Sequence, residues 1–189
     1  MNTHWVMDYE TLCNCFIAVF EHYKTEERHV FVVCEQRNDF PEFVTFLRKN
    51  VTENQWHISY NGLAFDAQIT QYVLDVENKL KNLDGLSVAQ VIYKFAQETI
   101  KKTETGSFAT YSPSKLKIRQ IDLFKLNHWD NKAKMSSLKW IQYSMDWDNV
   151  EEMPHPHNKP VTDNHTLSSV VNYCVNDVLS TKEILKHSK

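Results

Sequence analysis

The first predicted strand lies in the stretch Trp5-Val6-Met7-Asp8-Tyr9-Glu10, in which three apolar residues lead directly into an acidic pair. In an extended chain, residues two positions apart point to the same side, so Asp8 and Glu10 project together from the end of this strand. Adjacent carboxylates repel each other unless a cation lies between them, and Mg²⁺ prefers such oxygen ligands. For this short pattern alone, a solvated strand end is the alternative interpretation.

The pattern farther along the chain alternates between strands and helices. Further strands are predicted at residues 16–20, 29–33, 56–60 and 118–124, the first two of them as a hairpin. Helices are predicted from residue 39 or 40 to 49, at 65–80, at 88–101, after Ser136 or Ser137, and at about 166–186. Residues 106–113 and 148–164 read as loops. This order predicts an α/β fold with a mixed β-sheet flanked by helices.

The composition limits the functional classes. The chain has 189 residues, a length for one well-buried domain, which we expect to span residues 1–189. It has a net charge of −3, which gives no global signal for nucleic acid, and only 3 glycines, which argues against a glycine-rich phosphate loop. We find no signal peptide and no membrane-spanning run, so we expect a cytoplasmic protein with free thiols. Cys13 and Cys15 are expected to share one buried strand face.

The segment Asn61-Gly62-Leu63-Ala64-Phe65-Asp66 marks the change from a strand to a helix. Asp66 falls in the first helical turn, where the helix dipole favours a carboxylate, and such a terminal charge is its alternative interpretation. The amide of Asn61 can bond a sugar or phosphate, or it can cap the turn.

The segment Tyr173-Cys174-Val175-Asn176-Asp177 lies in the last predicted helix. Tyr173 and Asp177 are four residues apart and therefore share one helical face, which also carries apolar residues. Polar groups at the edge of an apolar stripe need partners, which a metal ion and water would provide. A surface Tyr–Asp pair is the alternative.

Taken together, the three patterns resemble the exonuclease motifs of the DnaQ-like (DEDD) superfamily, which is ribonuclease H-like in fold. Residues 8–11 resemble D-x-E-T, residues 61–66 resemble N-x₂₋₃-(F/Y)-D, and residues 173–177 resemble Y-x₃-D. The tyrosine matches the DEDDy branch, and the likeness is greatest to the proofreading domains of family B DNA polymerases, especially those of phages. Residues 121–123 and 136–139 resemble recurrent segments between the second and third motifs.

The resemblance implies a 3′→5′ exonuclease that uses two divalent ions, Mg²⁺ or Mn²⁺. Its implied metal ligands are Asp8, Glu10, Asp66 and Asp177, with Asp8 bridging both ions. Tyr173 would orient the attacking water. The implied substrate contacts are Thr11, Leu12, Asn61 and Phe65, with Leu12 wedging the terminal base. The segment 85–114 has no motif that the resemblance explains.

The expected partner is the 3′ end of single-stranded DNA, with a DNA polymerase domain or subunit absent from this chain as a further partner. The chain ends soon after Asp177, which suggests an excised domain or a minimal enzyme. Two alternatives keep part of this interpretation: a DEDDy exoribonuclease, which would need contacts to the 2′-hydroxyl, and an inactive nucleic-acid-binding module.

Two weaker signals remain. Residues 101–139 contain nine basic and three acidic residues, which either follow a phosphate backbone or form a solvated face. His155, His157 and His165 cluster around two prolines, and we interpret them as surface residues rather than as a metal site.

Overall fold

A computed structural model describes residues 3–128 and 137–188 of the chain. Within these residues, five strands form one mixed sheet in the order β3-β2-β1-β4-β5. The strands are β1 (Trp5–Leu12), β2 (Cys15–His22), β3 (Arg28–Val33), β4 (His57–Ser59) and β5 (Gln120–Asp122). The predicted α/β class with a mixed sheet is therefore confirmed.

The central strand β1 pairs with one antiparallel and one parallel neighbour. Its antiparallel ladder with β2 runs from Trp5 opposite His22 to Leu12 opposite Cys15. On its other edge, Trp5 pairs with His57 of β4 in parallel register, and β4 pairs in parallel with β5. The predicted hairpin of β2 and β3 is present as an antiparallel pair. From Tyr9 to Leu12, the side chains of β1 are buried.

Helices cover both faces of the sheet. They are α1 (Phe40–Thr52), α2 (Asp66–Leu80), α3 (Gly85–Glu104), α4 (Leu123–His128), α5 (Leu138–Ser144) and α6 (Asn164–His187). Alternation along β1 separates two apolar cores: Met7 and Tyr9 pack with residues of α1, α2 and α3, whereas Val6 and Leu12 pack with residues of α6. Asp8 and Glu10 lie on the same face of β1 as Val6 and Leu12, so their side chains project on the side of α6.

Two local predictions are wrong. Leu123 and Phe124 belong to α4 rather than to a strand, because the carboxylate of Asp122 accepts the Phe124 N–H at 3.1 Å and the chain turns into a helix there. Cys13 and Cys15 do not share a strand face. Strand β1 continues through its acidic residues to Leu12, so Cys13 falls in the turn and Cys15 opens β2.

Other expectations hold. Ser137 caps α5 by accepting the Trp140 N–H at 3.2 Å, while Ser136 lies outside the described residues. The cysteines at positions 13, 15, 34 and 174 are free. Across residues 3–128 and 137–188, no helix has both the length and the apolar character needed to cross a membrane.

Candidate active site

Strand β1 and helix α6 bring the first and third sequence motifs together. A carboxylate oxygen of Asp8, one of Glu10 and the Sγ of Cys174 all lie within 4.8 Å of one another. The Cys174 thiol is fully buried and lies 3.4 Å from the backbone oxygen of Asp8 and 3.6 Å from its Oδ2. Helix α6 is thus held directly against the acidic end of β1.

The third motif is a buried pair rather than a surface pair. The exposed fractions of Tyr173 and Asp177 are 8% and 6%, and burial and the nearby charge of Asp177 both raise the pKa of the Tyr173 phenol. This excludes the surface interpretation that sequence alone left open. Since Cys174 lies between them on the helix and contacts Asp8, the phenol and the Asp177 carboxylate belong to the same cluster as Asp8 and Glu10.

Asp66 is the first residue of α2 and is fixed to β1 by the strand's own backbone. Its Oδ1 accepts the Tyr9 N–H at 3.0 Å, and one turn later the Thr70 hydroxyl bonds the Tyr9 hydroxyl at 2.6 Å. The close approach of the turn before α2 to Ser59 also requires glycine at position 62, because a Cβ there would lie 1.9 Å from the Ser59 Oγ. Residues of α2 therefore hold β1 between its two acidic residues.

The carboxyl groups of this cluster raise one another's pKa. Burial, followed by the charges of Asp66, Glu10 and Asp177, holds the pKa of Asp8 well above its usual range. Burial is also the largest cause that raises the pKa of Glu10, and it raises the pKa of Asp66 to about 8. Burial likewise raises the pKa of the Tyr173 phenol, and the charge of Asp177 adds to this effect. A compact group of like charges with little solvent strongly favours a bound cation.

Helix α5 supplies a positive charge to this cluster. Lys139 places its Nζ 2.7 Å from Oδ1 of Asp177 and 4.5 Å from the centre of the Tyr173 ring. One turn later, the fully buried Gln142 donates to the same Asp177 oxygen at 3.2 Å. The sequence offered one signal for this pair, namely two polar residues at helical spacing in a helix that otherwise packs Leu138 and Ile141.

His157 also reaches the cluster. Its Nε2 donates to Oε2 of Glu10 at 2.9 Å, from the loop between α5 and α6. His157 is exposed, as predicted, with 45% of its side chain accessible, but this surface residue also contacts the cluster through Glu10. His155 instead contacts the backbone oxygen of Lys159, and His165 is exposed at the start of α6. No periodicity in the loop sequence distinguished these three histidines.

A cavity of about 470 Å³ opens beside the carboxylates. Its wall includes Asp8, Glu10 and Asp66 together with three predicted substrate residues, Thr11, Asn61 and Phe65. The opposite wall comes from α3, through Gln97, Ile100, Thr103 and Glu104, and so gives the unexplained segment 85–114 a place at the site.

Leu12 does not belong to this cavity. Its side chain is fully buried in the core beneath α6, so it cannot wedge a terminal base in this conformation. The reason is the length of β1: the strand continues to Leu12, and alternation turns this side chain into the apolar core between sheet and helix.

Asn61 is held by Asp122 in a left-handed backbone conformation with φ of 60°. The Asp122 carboxylate accepts the Asn61 N–H at 2.7 Å and the Leu63 N–H at 3.2 Å. Asparagine tolerates this conformation better than most residues. Because these bonds use only backbone N–H groups, they do not occupy the side-chain amide of Asn61. Asn61 is exposed and lines the cavity.

The basic residues at 101–139 serve different local purposes. Lys102 bonds the Thr110 hydroxyl, Arg119 lies 5.5 Å from the centre of the Trp56 ring, and Lys139 pairs with Asp177. Lys132 and Lys134 lie outside the described residues. A phosphate-tracking role for the group stays a prediction.

The donor set fits hard divalent cations. Buried carboxylates from β1, α2 and α6 converge, and the repulsion that raises their pKa values would be relieved by positive charge. Cys174 is the soft donor nearby, but its Sγ lies beside the Asp8 backbone oxygen. No protein-family model matches the sequence, and no curated protein matches it.

Proposed function

We propose that the protein is a metal-dependent 3′→5′ exonuclease that releases nucleoside monophosphates from single-stranded or frayed DNA ends, either in proofreading or as a free-standing enzyme. The observation that carries the proposal is that Asp8, Glu10 and Asp66 line one open cavity. The charge of Asp177 lies close enough to raise the pKa values of Asp8 and of the Tyr173 phenol. A mixed sheet with helices on both faces agrees with the ribonuclease H-like fold that the sequence resemblance implies.

The carboxylates would hold two divalent ions, which supply an activated water and stabilise the charge on the leaving oxygen. Asp8 is suited to contact both ions, because the charges of Asp66, Glu10 and Asp177 all lie close enough to raise its pKa. The rigid attachment of Asp66 to the Tyr9 backbone keeps its carboxylate in place before any ion binds.

Tyr173 would position the attacking water through its hydroxyl. The raised pKa of this phenol keeps it protonated at neutral pH, so it acts as a hydrogen-bonding group rather than as a base.

The terminal nucleotides would lie in the cavity between Phe65 and α3. Phe65 offers a partly exposed ring for stacking on a base, and the Asn61 amide offers hydrogen bonds to a sugar or phosphate. Without the predicted Leu12 wedge, separation of a paired end depends on fraying, so single strands should be the better substrates.

Cleavage of labelled single strands tests the proposal. DNA and RNA strands of the same sequence, labelled at either end, are incubated with Mg²⁺, Mn²⁺ or EDTA. We expect 5′-labelled DNA to yield a ladder that shortens from the 3′ side, with no products in EDTA. Asp8→Asn should be inactive, whereas Glu26→Gln, at an exposed position between β2 and β3, should be fully active.

Three outcomes would contradict the proposal. Release of the labelled 5′ nucleotide first would reverse the polarity. Equal cleavage by wild type and Asp8→Asn would point to a contaminating nuclease. Faster degradation of RNA than of DNA would favour the exoribonuclease alternative, which uses the same residues.

A further inference from the structure

The loop between α5 and α6 is bound to the turn that joins β1 and β2. The amide of Asn14 donates to the backbone oxygen of Val161 at 2.7 Å and accepts the Val161 N–H at 2.8 Å. The Cys13 N–H donates to the backbone oxygen of His157 at 2.9 Å. Val161 is itself buried in the core beneath α6, so both ends of the segment 157–161 are anchored.

The β1–β2 hairpin contains both Glu10 and the two turn residues that bind the loop. Glu10 lies on β1 two residues before its end, and the turn residues Cys13 and Asn14 follow directly. The separation between the Glu10 carboxylate and the backbone of His157 is therefore set by a short, hydrogen-bonded piece of structure. This explains how a loop residue, 147 positions away in sequence, holds a contact of 2.9 Å.

We infer that His157 is a positioning residue for Glu10, held in place by the Asn14 clamp on Val161. The inference rests on the proposed function, in which Glu10 is a metal ligand. Nε2 of His157 bonds one oxygen of Glu10, Oε2, and a carboxylate oxygen of Glu10 lies within 4.8 Å of one of Asp8. Hydrogen bonds of this kind to a ligating carboxylate fix its orientation.

His157 acts through Glu10 rather than as a ligand itself. Among the described residues, donor atoms of Asp8, Glu10 and Cys174 lie within 4.8 Å of one another, and no nitrogen of His157 belongs to this group. The His157 ring instead bonds Oε2 of Glu10. A residue in this position changes how well the site binds a cation without needing any nucleic acid.

Mn²⁺ binding in the absence of nucleic acid tests the inference. Free Mn²⁺ is measured by electron paramagnetic resonance during titration of the wild type, His157→Ala, His157→Gln, Asn14→Ala and His165→Ala. We expect His157→Ala to weaken the tighter Mn²⁺ site by about tenfold, the lower end of the effect of such partners. His157→Gln should restore most of the affinity, because its side-chain N–H can still donate to Glu10.

Asn14→Ala should weaken Mn²⁺ binding in the same direction, because the loop loses both bonds to Val161 while His157 is intact. His165→Ala is the matched control, since this histidine is exposed at the start of α6, and it should bind Mn²⁺ like the wild type. Thermal unfolding of each variant establishes that it is folded. Because His157→Ala removes only a half-exposed side chain, it should remain folded. The test therefore does not depend on the Asn14 variant.

Wild-type Mn²⁺ affinity in His157→Ala would overturn the inference, even if cleavage were slow, because His157 would then act on substrate. Failure of His157→Gln to restore binding would also overturn it. The proposed function fails separately: if the wild type cleaves no nucleic acid but His157→Ala still weakens Mn²⁺ binding, the positioning role stands. If the wild type cleaves DNA and His157→Ala binds Mn²⁺ normally, the function stands and the positioning role falls.

Discussion

The ammonium group of Lys139 lies 2.7 Å from the carboxylate of Asp177, with exposed fractions of 20% and 8% for the two side chains. The pair joins α5 to α6 inside a cluster of negative charge. In the metal-free protein, Lys139 is therefore the counter-charge of Asp177, and it lowers a pKa that burial raises.

Lys139→Met should destabilise the metal-free protein by about 2 kcal/mol, because a largely buried carboxylate loses its charged hydrogen-bond donor. Saturating Mn²⁺ should recover most of this loss, since bound cations replace the missing charge. Urea unfolding at pH 8 with EDTA or with Mn²⁺ measures both quantities.

Lys186→Met is the matched control for this variant. Lys186 pairs with Glu183 at 3.0 Å, but 62% of its side chain is exposed, and such surface pairs contribute at most about 1 kcal/mol. Equal destabilisation of the two variants would show that Lys139 has no special role at the cluster.

Asp8→Asn should have opposite effects on activity and on the stability of the metal-free protein. Cleavage should fall by more than about tenfold, equivalent to about 1.4 kcal/mol of transition-state stabilisation, because Asp8 is the residue proposed to contact both ions. The free energy of unfolding in EDTA should rise, because the variant removes a partly buried charge that repels Asp66, Glu10 and Asp177. Single-turnover cleavage and urea unfolding in EDTA check the two effects. Retention of a tenth or more of the rate, or a loss of stability in EDTA, would contradict this central position.

Tyr173→Phe should separate the phenol from the metal ligands. The change keeps the buried ring beneath Lys139 and deletes only the hydroxyl. Mn²⁺ affinity should stay nearly unchanged while single-turnover cleavage slows by about 10²-fold, the lower end for positioned acid–base groups. Asp177→Asn should weaken both. Wild-type cleavage by Tyr173→Phe would show that the tyrosine is structural.

The metal-free protein should lose stability as pH rises from 6.5 to 8. Burial raises the pKa of Asp66 to about 8, whereas an unfolded aspartate titrates near 4, so the folded state binds more protons throughout this window. The free energy of unfolding then falls by up to about 1.4 kcal/mol per pH unit for each such group. Below pH 6.5 the buried His57, with a pKa lowered by burial to about 3, acts in the opposite direction.

Urea unfolding in EDTA at several pH values measures this slope. Saturating Mg²⁺ should flatten it, because a bound cation keeps the carboxylates ionised in the folded state. Asp66→Asn should flatten it without metal. A stability that is constant or rises with pH between 6.5 and 8 in EDTA would be inconsistent with the mutual repulsion of these groups.

Ile100→Glu should raise the KM for single-stranded DNA and leave kcat nearly unchanged. Ile100 is exposed on the α3 wall of the cavity, so a carboxylate there would repel the phosphate backbone without touching the metal ligands. Gln90→Glu adds one negative charge to the same helix outside the cavity and should leave KM unchanged. Steady-state kinetics decide the matter, and equal effects of both variants would remove α3 from the substrate path.

Local sequence patterns determined much of the fold and of the candidate site. Two β-branched and aromatic runs separated by a charged segment located the β2–β3 hairpin, and helical spacing placed Tyr173 and Asp177 on one face of α6. The break at Asn61 predicted that Asp66 opens a helix, as it does. These patterns succeed because strand alternation and helical periodicity depend on neighbours within a few residues.

Only the tertiary structure decided which other side chains meet the carboxylates. Lys139 and Asp177 are 38 residues apart, and His157 and Glu10 are 147 apart, so no local period relates them. Leu12 followed the motif in sequence, yet the extension of β1 buried it, because strand parity and the packing of α6 overrode the local pattern. Contacts between elements distant in sequence depend on how the sheet and helices pack. The spacing of residues along the chain contains no information about that packing.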